Sequence, residues 1–442
     1  MIIEPNTLVV GMFLILFFGV ITGFPLALPV GAAGMIFGYL LFGDASFDMI
    51  YARVFAQVTS TGFMAVPLFV FMGGMLERSG IAAKMYESLY LVFGKVRGGL
   101  AIVSVIIGTI MAACIGVVAA SVTMLTLVAL PVMINRGYDK GLATGSICAA
   151  GTLGILIPPS IMLIVYGPAA WISVGKLFSA AFGPGIMLSL LYILYIAIRS
   201  YLQPSIAPAA SQQEQDSYTA GEKLLMVVKS LLPTAILILS VLGAIYTGIA
   251  APTEAAAVGA VMATFITVAY GRFSWKAFKD VSLSTIKITG MVLLIAACST
   301  AFVSVFVGGG GGDVIEKFIL SFPGGRWAVF GVVMVITFIL GAFIDWVGII
   351  FVLVPILSPI VPKLGFDPLW FAMMIIVNLQ MSFLTPPFAY AMFFLKGTAD
   401  PALGIETKDI IRGMMPFVAI IAVGLVLLIV FPQIVLWLPS KM

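Results

Sequence analysis

The chain has 442 residues, of which 62% are hydrophobic and 9% charged, with a mean hydropathy of +1.21 and a formal net charge of +4. A soluble fold carries about a quarter charged residues to cover its exterior, so this exterior faces hydrocarbon and the chain is a multi-pass membrane protein. Having no histidine, it lacks the usual general base, transition-metal ligand and pH switch, and its singly scattered basic residues exclude nucleic acid as a partner.

In chain order, Met1-Ile2-Ile3-Glu4-Pro5-Asn6 lacks the basic segment of a cleavable signal, so the first apolar run is expected to be a retained span. Apolar runs cover about 7–43, 63–76, 98–134, 142–170, 177–200, 224–270, 288–307, 327–362, 369–395 and 413–438. Several are long enough to cross ~30 Å of hydrocarbon twice, which predicts ten to fourteen membrane segments. Cys114, Cys148 and Cys298 lie far apart in these runs, as small core residues rather than a disulfide framework or a metal site. The one extended polar stretch, 203–222, reads as a linker.

The segments on either side of that linker repeat. Val30-Gly31 matches Val258-Gly259, Gly43 matches Gly271, Thr61-Gly62 matches Thr289-Gly290 and Pro158-Pro159 matches Pro386-Pro387, each pair 228 positions apart. Loop charges orient the copies. Gly43–Arg53 carries Asp44 and Asp48 against Arg53, whereas its partner Gly271–Lys287 carries Arg272, Lys276, Lys279 and Lys287 against Asp280. The next pair reverses: Glu77–Arg97 is basic and Asp313–Arg326 is balanced. Equivalent loops then lie on opposite faces by the positive-inside rule, which predicts an all-α, inverted-topology repeat. The first copy is expected over 1–202 and the second over 223–442.

Each copy has two interruptions. The run 98–134 is too long for one span and is broken around Ala113-Cys114-Ile115-Gly116, with small residues on to Ser121. Its counterpart, 326–362, breaks at Gly341-Ala342-Phe343-Ile344-Asp345. Both read as re-entrant hairpins. The other pair is Gly151-Thr152-Leu153-Gly154-Ile155-Leu156-Ile157-Pro158-Pro159-Ser160 in 142–170 and Gln380-Met381-Ser382-Phe383-Leu384-Thr385-Pro386-Pro387 in 369–395. Consecutive prolines remove backbone donors and disfavour helix before them, so both helices are expected to be discontinuous. Carbonyls freed in this way are tolerated at membrane depth where they line a cavity or hold an ion.

Asp345 is a carboxylate inside a long apolar run, a functional-site signal by default. Sodium, a proton or a lysine are candidate partners, and water at a shallow tip is the alternative. Glu254 is the other such acid, and it is expected to sit in the first turn of a helix capped by Thr253. Gly308 to Gly312 with Asp313 has the look of an intramembrane aspartyl protease motif, but no second membrane aspartate precedes it, and a solvated linker is expected instead. Thr152, Ser160, Asn378, Gln380 and Ser382 are candidate polar groups for a solute.

Leu130-Pro131-Val132-Met133 with Arg136-Gly137-Tyr138-Asp139, Gly151-Thr152-Leu153-Gly154 with Ile157-Pro158-Pro159-Ser160, Ala251-Pro252-Thr253-Glu254-Ala255-Ala256, Gly365-Phe366-Asp367-Pro368 and Leu384-Thr385-Pro386-Pro387 together resemble the large membrane subunit of the tripartite ATP-independent periplasmic (TRAP) transporters. The resemblance runs along nearly the whole chain. It implies a sodium-driven elevator in a bacterial inner membrane. Scaffold helices would occupy about 7–76 and 224–307, and the hairpins and broken helices would form the moving transport domain. It implies a separate four-span membrane subunit, a periplasmic binding protein that delivers an organic acid, and Na+ as the coupling ion, with no organic cofactor and no enzymatic activity. Carried over by motif, one sodium site would use Gly116 with Gly154, Ile157 and Pro159. The other would use Gly341, Asp345 and Thr385 with the carbonyl near Phe388. Many members look like Ser-Gly-Ser-Ser at the first tip. This chain has Ile115-Gly116-Val117-Val118, so backbone carbonyls plus Ser121 would have to suffice there. A stand-alone carboxylate symporter and a passive channel or scaffold are the alternative readings.

Overall fold

A computed structural model describes residues 4–209, 219–387 and 389–442, and no strand occurs among them. Before the linker the helices are α1 (Pro5–Ile21), α2 (Ala27–Phe42), α3 (Ala45–Val58), α4 (Ala65–Arg78), α5 (Ile81–Phe93), α6 (Gly99–Ile115), α7 (Val118–Asn135), α8 (Lys140–Thr152), α9 (Ile161–Ala170) and α10 (Val174–Leu202). After it come α11 (Ala220–Tyr246), α12 (Pro252–Ala269), α13 (Trp275–Gly308), α14 (Gly311–Leu320), α15 (Gly325–Phe343), α16 (Trp346–Leu357), α17 (Pro368–Ser382), α18 (Tyr390–Thr398), α19 (Thr407–Val430) and the one-turn α20 (Gln433–Leu436). Among the described residues, seven helices are long and apolar enough to cross a membrane unaided. The other apolar runs are cut by their Gly and Pro residues into shorter helices.

The 228-residue offset carries over from motifs to elements. Shifted by 228, Ala27–Phe42 becomes 255–270, against α12 at Pro252–Ala269, and Lys140–Thr152 becomes 368–380, against α17 at Pro368–Ser382. The two halves differ after the second helix of each matched set. α3 and α4 are separated by a 3-10 turn, Thr61–Met64, and bent by 47°, whereas their counterpart α13 is a single helix of 34 residues. At 1.5 Å per residue it is about 51 Å long, well beyond the ~30 Å hydrocarbon core, so its basic N-terminal part with Lys276 and Lys279 reaches out of the apolar layer.

The interior is built on α8 and α17. Every residue of α8 from Gly141 to Thr152 is buried, as is every residue of α17 from Trp370 to Gln380. α8 is made of small residues because it is crossed closely by α19. A Cβ added to Gly145 would lie 2.1 Å from the carbonyl oxygen of Gly413, and one added to Gly413 would lie 2.0 Å from that of Gly141. Small residues four apart let two backbones touch in this way.

Two expectations need correction. Gly308 to Gly312 is not a linker: α13 ends at Gly308 and α14 begins at Gly311, with Gly310 in the left-handed region at φ +82° to make the turn. Thr253 is not the cap of α12. The helix starts at Pro252 with Ala251 before it, and Glu254 Oε2 accepts from the Ala251 N–H at 2.9 Å, so the carboxylate itself closes the helix start. The polar linker expected over 203–222 is described at its two ends. The carbonyls of Ile206 and Ala207 accept from Asp139 N (2.8 Å) and Gly98 N (3.2 Å), which pins its first residues to the base of the first hairpin. Residues 210–218 lie outside the described residues, and α11 begins at Ala220 under a capping box between Thr219 and Glu222.

Candidate functional site

In the first half, α6 and α7 form a hairpin whose tip is two residues, Gly116 and Val117, shorter than the stretch from Ala113 to Ser121 expected from small residues alone. Gly116 adopts φ +64° and Val117 is extended, which reverses the chain between the two helices. This tip meets the break in the adjacent helix. α8 ends at Thr152, the chain tightens into a 3-10 turn over Leu153–Ile155, passes the cis Pro158-Pro159 bond and resumes as α9 at Ile161. A Cβ placed on Gly116 would lie 3.0 Å from the carbonyl oxygen of Pro159, and one on Gly154 would lie 3.2 Å from Ser121 Oγ and 3.8 Å from Val117 C. Glycine at both positions is what permits the approach.

Gly116, Ser121, Gly154 and Pro159 are thereby brought together. Ser121 is fully buried, and its Oγ has no hydrogen-bond partner among the described residues. A hydroxyl in that state costs about 1–3 kcal/mol, and an oxygen ligand to a hard cation is one way to recover it. The N–H of Ile157 donates to Leu153 O at 2.9 Å, and its side chain packs against Gly185 of α10. The hydroxyl of Ser160 donates to Ile155 O at 2.6 Å and so closes the break on itself.

The second half repeats the plan with other chemistry. α15 ends at Phe343, Ile344 is extended, and half-buried Asp345 is the residue before α16. Gly341 faces α17, where an added Cβ would lie 2.7 Å from Ser382 Oγ. Asn378 Nδ2 donates to Met334 O at 2.7 Å and Ser382 Oγ to Phe338 O at 3.1 Å, so two rungs fasten α17 to the first arm of the hairpin. These two side chains therefore hold the hairpin arm. Thr385 Oγ1 donates to Met381 O at 2.9 Å within the break, which passes the cis Pro386-Pro387 bond. Phe388 lies outside the described residues. Across the break, Tyr390 at the start of α18 is an electrostatic neighbour of Asp345 and sets its ring 5.4 Å from that of Phe383.

Between the two regions, Thr152 and Gln380 meet, and they are equivalent positions of the two halves. Gln380 Nε2 donates to Thr152 Oγ1 at 3.4 Å and to Tyr192 OH at 3.3 Å, all three residues are fully buried, and Gln380 Oε1 has no partner among the described residues. Tyr192 and Tyr390 escaped the sequence reading. Tyr192 is one of three tyrosines in α10, with nothing local to single it out, whereas Tyr390 follows a double-proline break, so only the second carried a signal.

Residues 9–434 match the family described as "Tripartite ATP-independent periplasmic transporter, DctM component". The chain belongs to this TRAP permease family. It is 31% identical over 404 residues to the C4-dicarboxylate TRAP transporter large permease protein DctM of Pseudomonas aeruginosa, with 91% of each chain covered. It is 27% identical over 418 residues to the ectoine TRAP transporter large permease protein TeaC of Halomonas elongata, covering 94% of this chain and 95% of that one. It also matches the isethionate TRAP transporter permease protein DctMQ of Oleidesulfovibrio alaskensis at 28% identity, over 98% of this chain and 66% of the other. Among solved structures, the YdaH transporter of Alcanivorax borkumensis superposes with a TM-score of 0.63 at 16% identity, covering 96% of this chain and 98% of that one. That likeness is one of fold. The TRAP permease is a multi-pass membrane transport protein and not an enzyme.

Proposed function

We propose that this TRAP permease imports an organic acid across the bacterial inner membrane, driven by sodium, with the two tip-and-break regions as its ion sites. The observation that carries the reading is the approach of Gly116 to the Pro159 carbonyl and of Gly154 to Ser121, which puts a fully buried, unpartnered hydroxyl and a backbone carbonyl at one tip. Those are the oxygen donors a hard cation takes in place of its hydration shell. The carboxylate of Asp345, at the other tip, supplies a formal negative charge to a second site with Gly341, Thr385 and the carbonyl near Phe388.

The pairing of elements at one offset, together with opposite loop charges, supports an inverted repeat. In this reading the hairpins with α8, α9, α17 and α18 move as a transport domain against a scaffold of the other helices. Substrate would bind where Thr152, Gln380 and Tyr192 meet, close to both tips, with the unpartnered Gln380 Oε1 as a ready acceptor. The relatives are named for a C4-dicarboxylate, isethionate and ectoine, so small charged organic solutes are the class to screen. A separate four-span membrane subunit and a periplasmic binding protein complete the transporter.

The test is uptake into proteoliposomes containing the permease with its small subunit and binding protein, under an inward sodium gradient. Accumulation above the outside concentration is expected, and Asp345→Asn should abolish it in a protein that still folds. Equilibration without accumulation would point to a channel, and wild-type sodium dependence in the aspartate variant would remove Asp345 from the site.

A further inference from the structure

A cavity of about 560 Å³ lies between α1 and α14 on one side and the hairpin of α15 and α16 on the other. Its lining is apolar throughout. Val329, Val333, Ile336 and Leu340 form one stripe along α15, opposite Leu14 and Phe17 of α1. The stripe from Val329 to Leu340 runs eleven residues, about 16 Å of helix, which equals the depth of one leaflet at about half of a ~30 Å core. Leu14 and Phe17 are half exposed, Ile336 is 45% exposed, and the groove opens sideways.

Its two ends differ. At the outer end Lys317 and Arg326, both exposed, flank the lining residues Phe318 and Val329. Arg326 lies over the rings of Trp327 and Phe366 and gives one N–H to Gly365 O at 3.4 Å, which leaves four of its five donors for another group. At the inner end the lining reaches Ile344 and Gly348, on either side of the hairpin tip that carries Asp345. There the tip touches the chain after α1: a Cβ on Gly348 would overlap Leu26 at 1.6 Å.

Length and charge select the occupant: the stripe is as long as one leaflet is deep, which a single acyl chain spans, and the basic pair at its end suits a phosphate. We propose that the groove is a phospholipid site: an acyl chain lies along the α15 stripe, and its phosphate meets Lys317 and Arg326 at the membrane surface, where basic residues draw anionic headgroups. The chain end packs against Ile344 and excludes water from the outer side of the Asp345 tip. The site would exist whether or not sodium drives transport.

The test uses the full-length permease in vesicles of phosphatidylethanolamine and phosphatidylglycerol doped with a palmitoyl phospholipid bearing a photoreactive group on its tail. After detergent extraction and photolysis, labels are mapped by mass spectrometry. Labelling of Leu14 and Phe318 should exceed that of Leu190 and Leu194, exposed on α10, by several-fold. Val333→Trp, which fills the groove, should lower it several-fold with gel-filtration profile and helicity unchanged, and Lys317→Gln with Arg326→Gln should weaken retention through washing. Should Val333→Trp fail to fold, Ile336→Trp at the exposed rim replaces it with the same expected loss. Equal labelling of both faces, labelling unchanged in a folded groove-filling variant, or a co-purified protein segment cross-linked in the groove would each overturn the proposal.

Discussion

The two tip-and-break regions occupy equivalent places in the two halves, yet their polar groups are arranged differently. Around Gly116 the contacts are backbone to backbone: two glycines let the tip reach the Pro158-Pro159 break, no formal charge is involved, and one hydroxyl, Ser121 Oγ, is left over. Around Gly341 the neighbouring side chains are committed. Asn378 and Ser382 are spent on Met334 O and Phe338 O, Thr385 on Met381 O, and the group of a different kind is the carboxylate of Asp345 at the start of α16. Carbonyl and hydroxyl dipoles bind a cation through geometry, whereas a carboxylate binds it also through charge. The first region should therefore be sensitive to shape and the second to charge.

The largest expected effect tests the charge. Asp345→Asn keeps the volume and removes the negative charge, and sodium-driven uptake should fall to background while the protein elutes and melts like the parent. The matching change of shape is Gly116→Val. A β-branched residue at φ +64° costs about 1–2 kcal/mol in backbone strain alone, and its Cβ would also press on Pro159 O. Uptake should be lost together with a fall in melting temperature, so the two variants separate loss of charge from loss of fold. Gly341→Ala is the milder comparison. Its Cβ meets the Ser382 side chain rather than a carbonyl, and the expected cost is one hydrogen bond to Phe338 O, about 1 kcal/mol, read as a small shift of the thermal midpoint.

Ser121→Ala asks whether the leftover hydroxyl is a ligand. Removing a buried, unpartnered polar group should leave stability unchanged or raise it. A lost ligand would instead show as a several-fold higher sodium concentration for half-maximal uptake, with the substrate KM at saturating sodium little changed. An unaltered sodium dependence would leave the first region to backbone oxygens alone.

How far these regions could be read from the sequence depended on the residue type. Pro-Pro pairs and glycines fix the backbone locally, so the helix breaks at Pro158-Pro159 and Pro386-Pro387 and the turns near Gly116 and Asp345 are legible in the sequence. Asp345 stood out because a carboxylate in an apolar run has no cheap alternative. What was not legible were pairings across the fold. Nothing local says that Asn378 and Ser382 donate to α15 carbonyls rather than to a solute, or that Thr152 meets Gln380 and Tyr192. The tip itself was misjudged in length, since Ala113 to Ile115 are as compatible with helix as with a turn, and only the left-handed Gly116 decides. The glycine run after α13 misled for the opposite reason: five flexible residues read as a linker, but packing against Phe306 and Leu8 lets two of them make a tight corner.

The smallest effect comes from the second acid in an apolar setting. Glu254 and Asp345 look alike in sequence, each a lone carboxylate amid small and apolar residues, and the fold separates them by what each oxygen faces. Glu254 accepts the Ala251 N–H at 2.9 Å in the first turn of α12, where the helix dipole already favours a negative charge. Its carboxylate is thus used locally. Glu254→Ala should cost about 0.5–1 kcal/mol, the range of a lost helix cap, seen as a shift of a degree or so in melting, with uptake and its sodium dependence retained. A loss of sodium dependence in that variant would mean that the cap doubles as an ion ligand, and the distinction drawn between the two acids would fail.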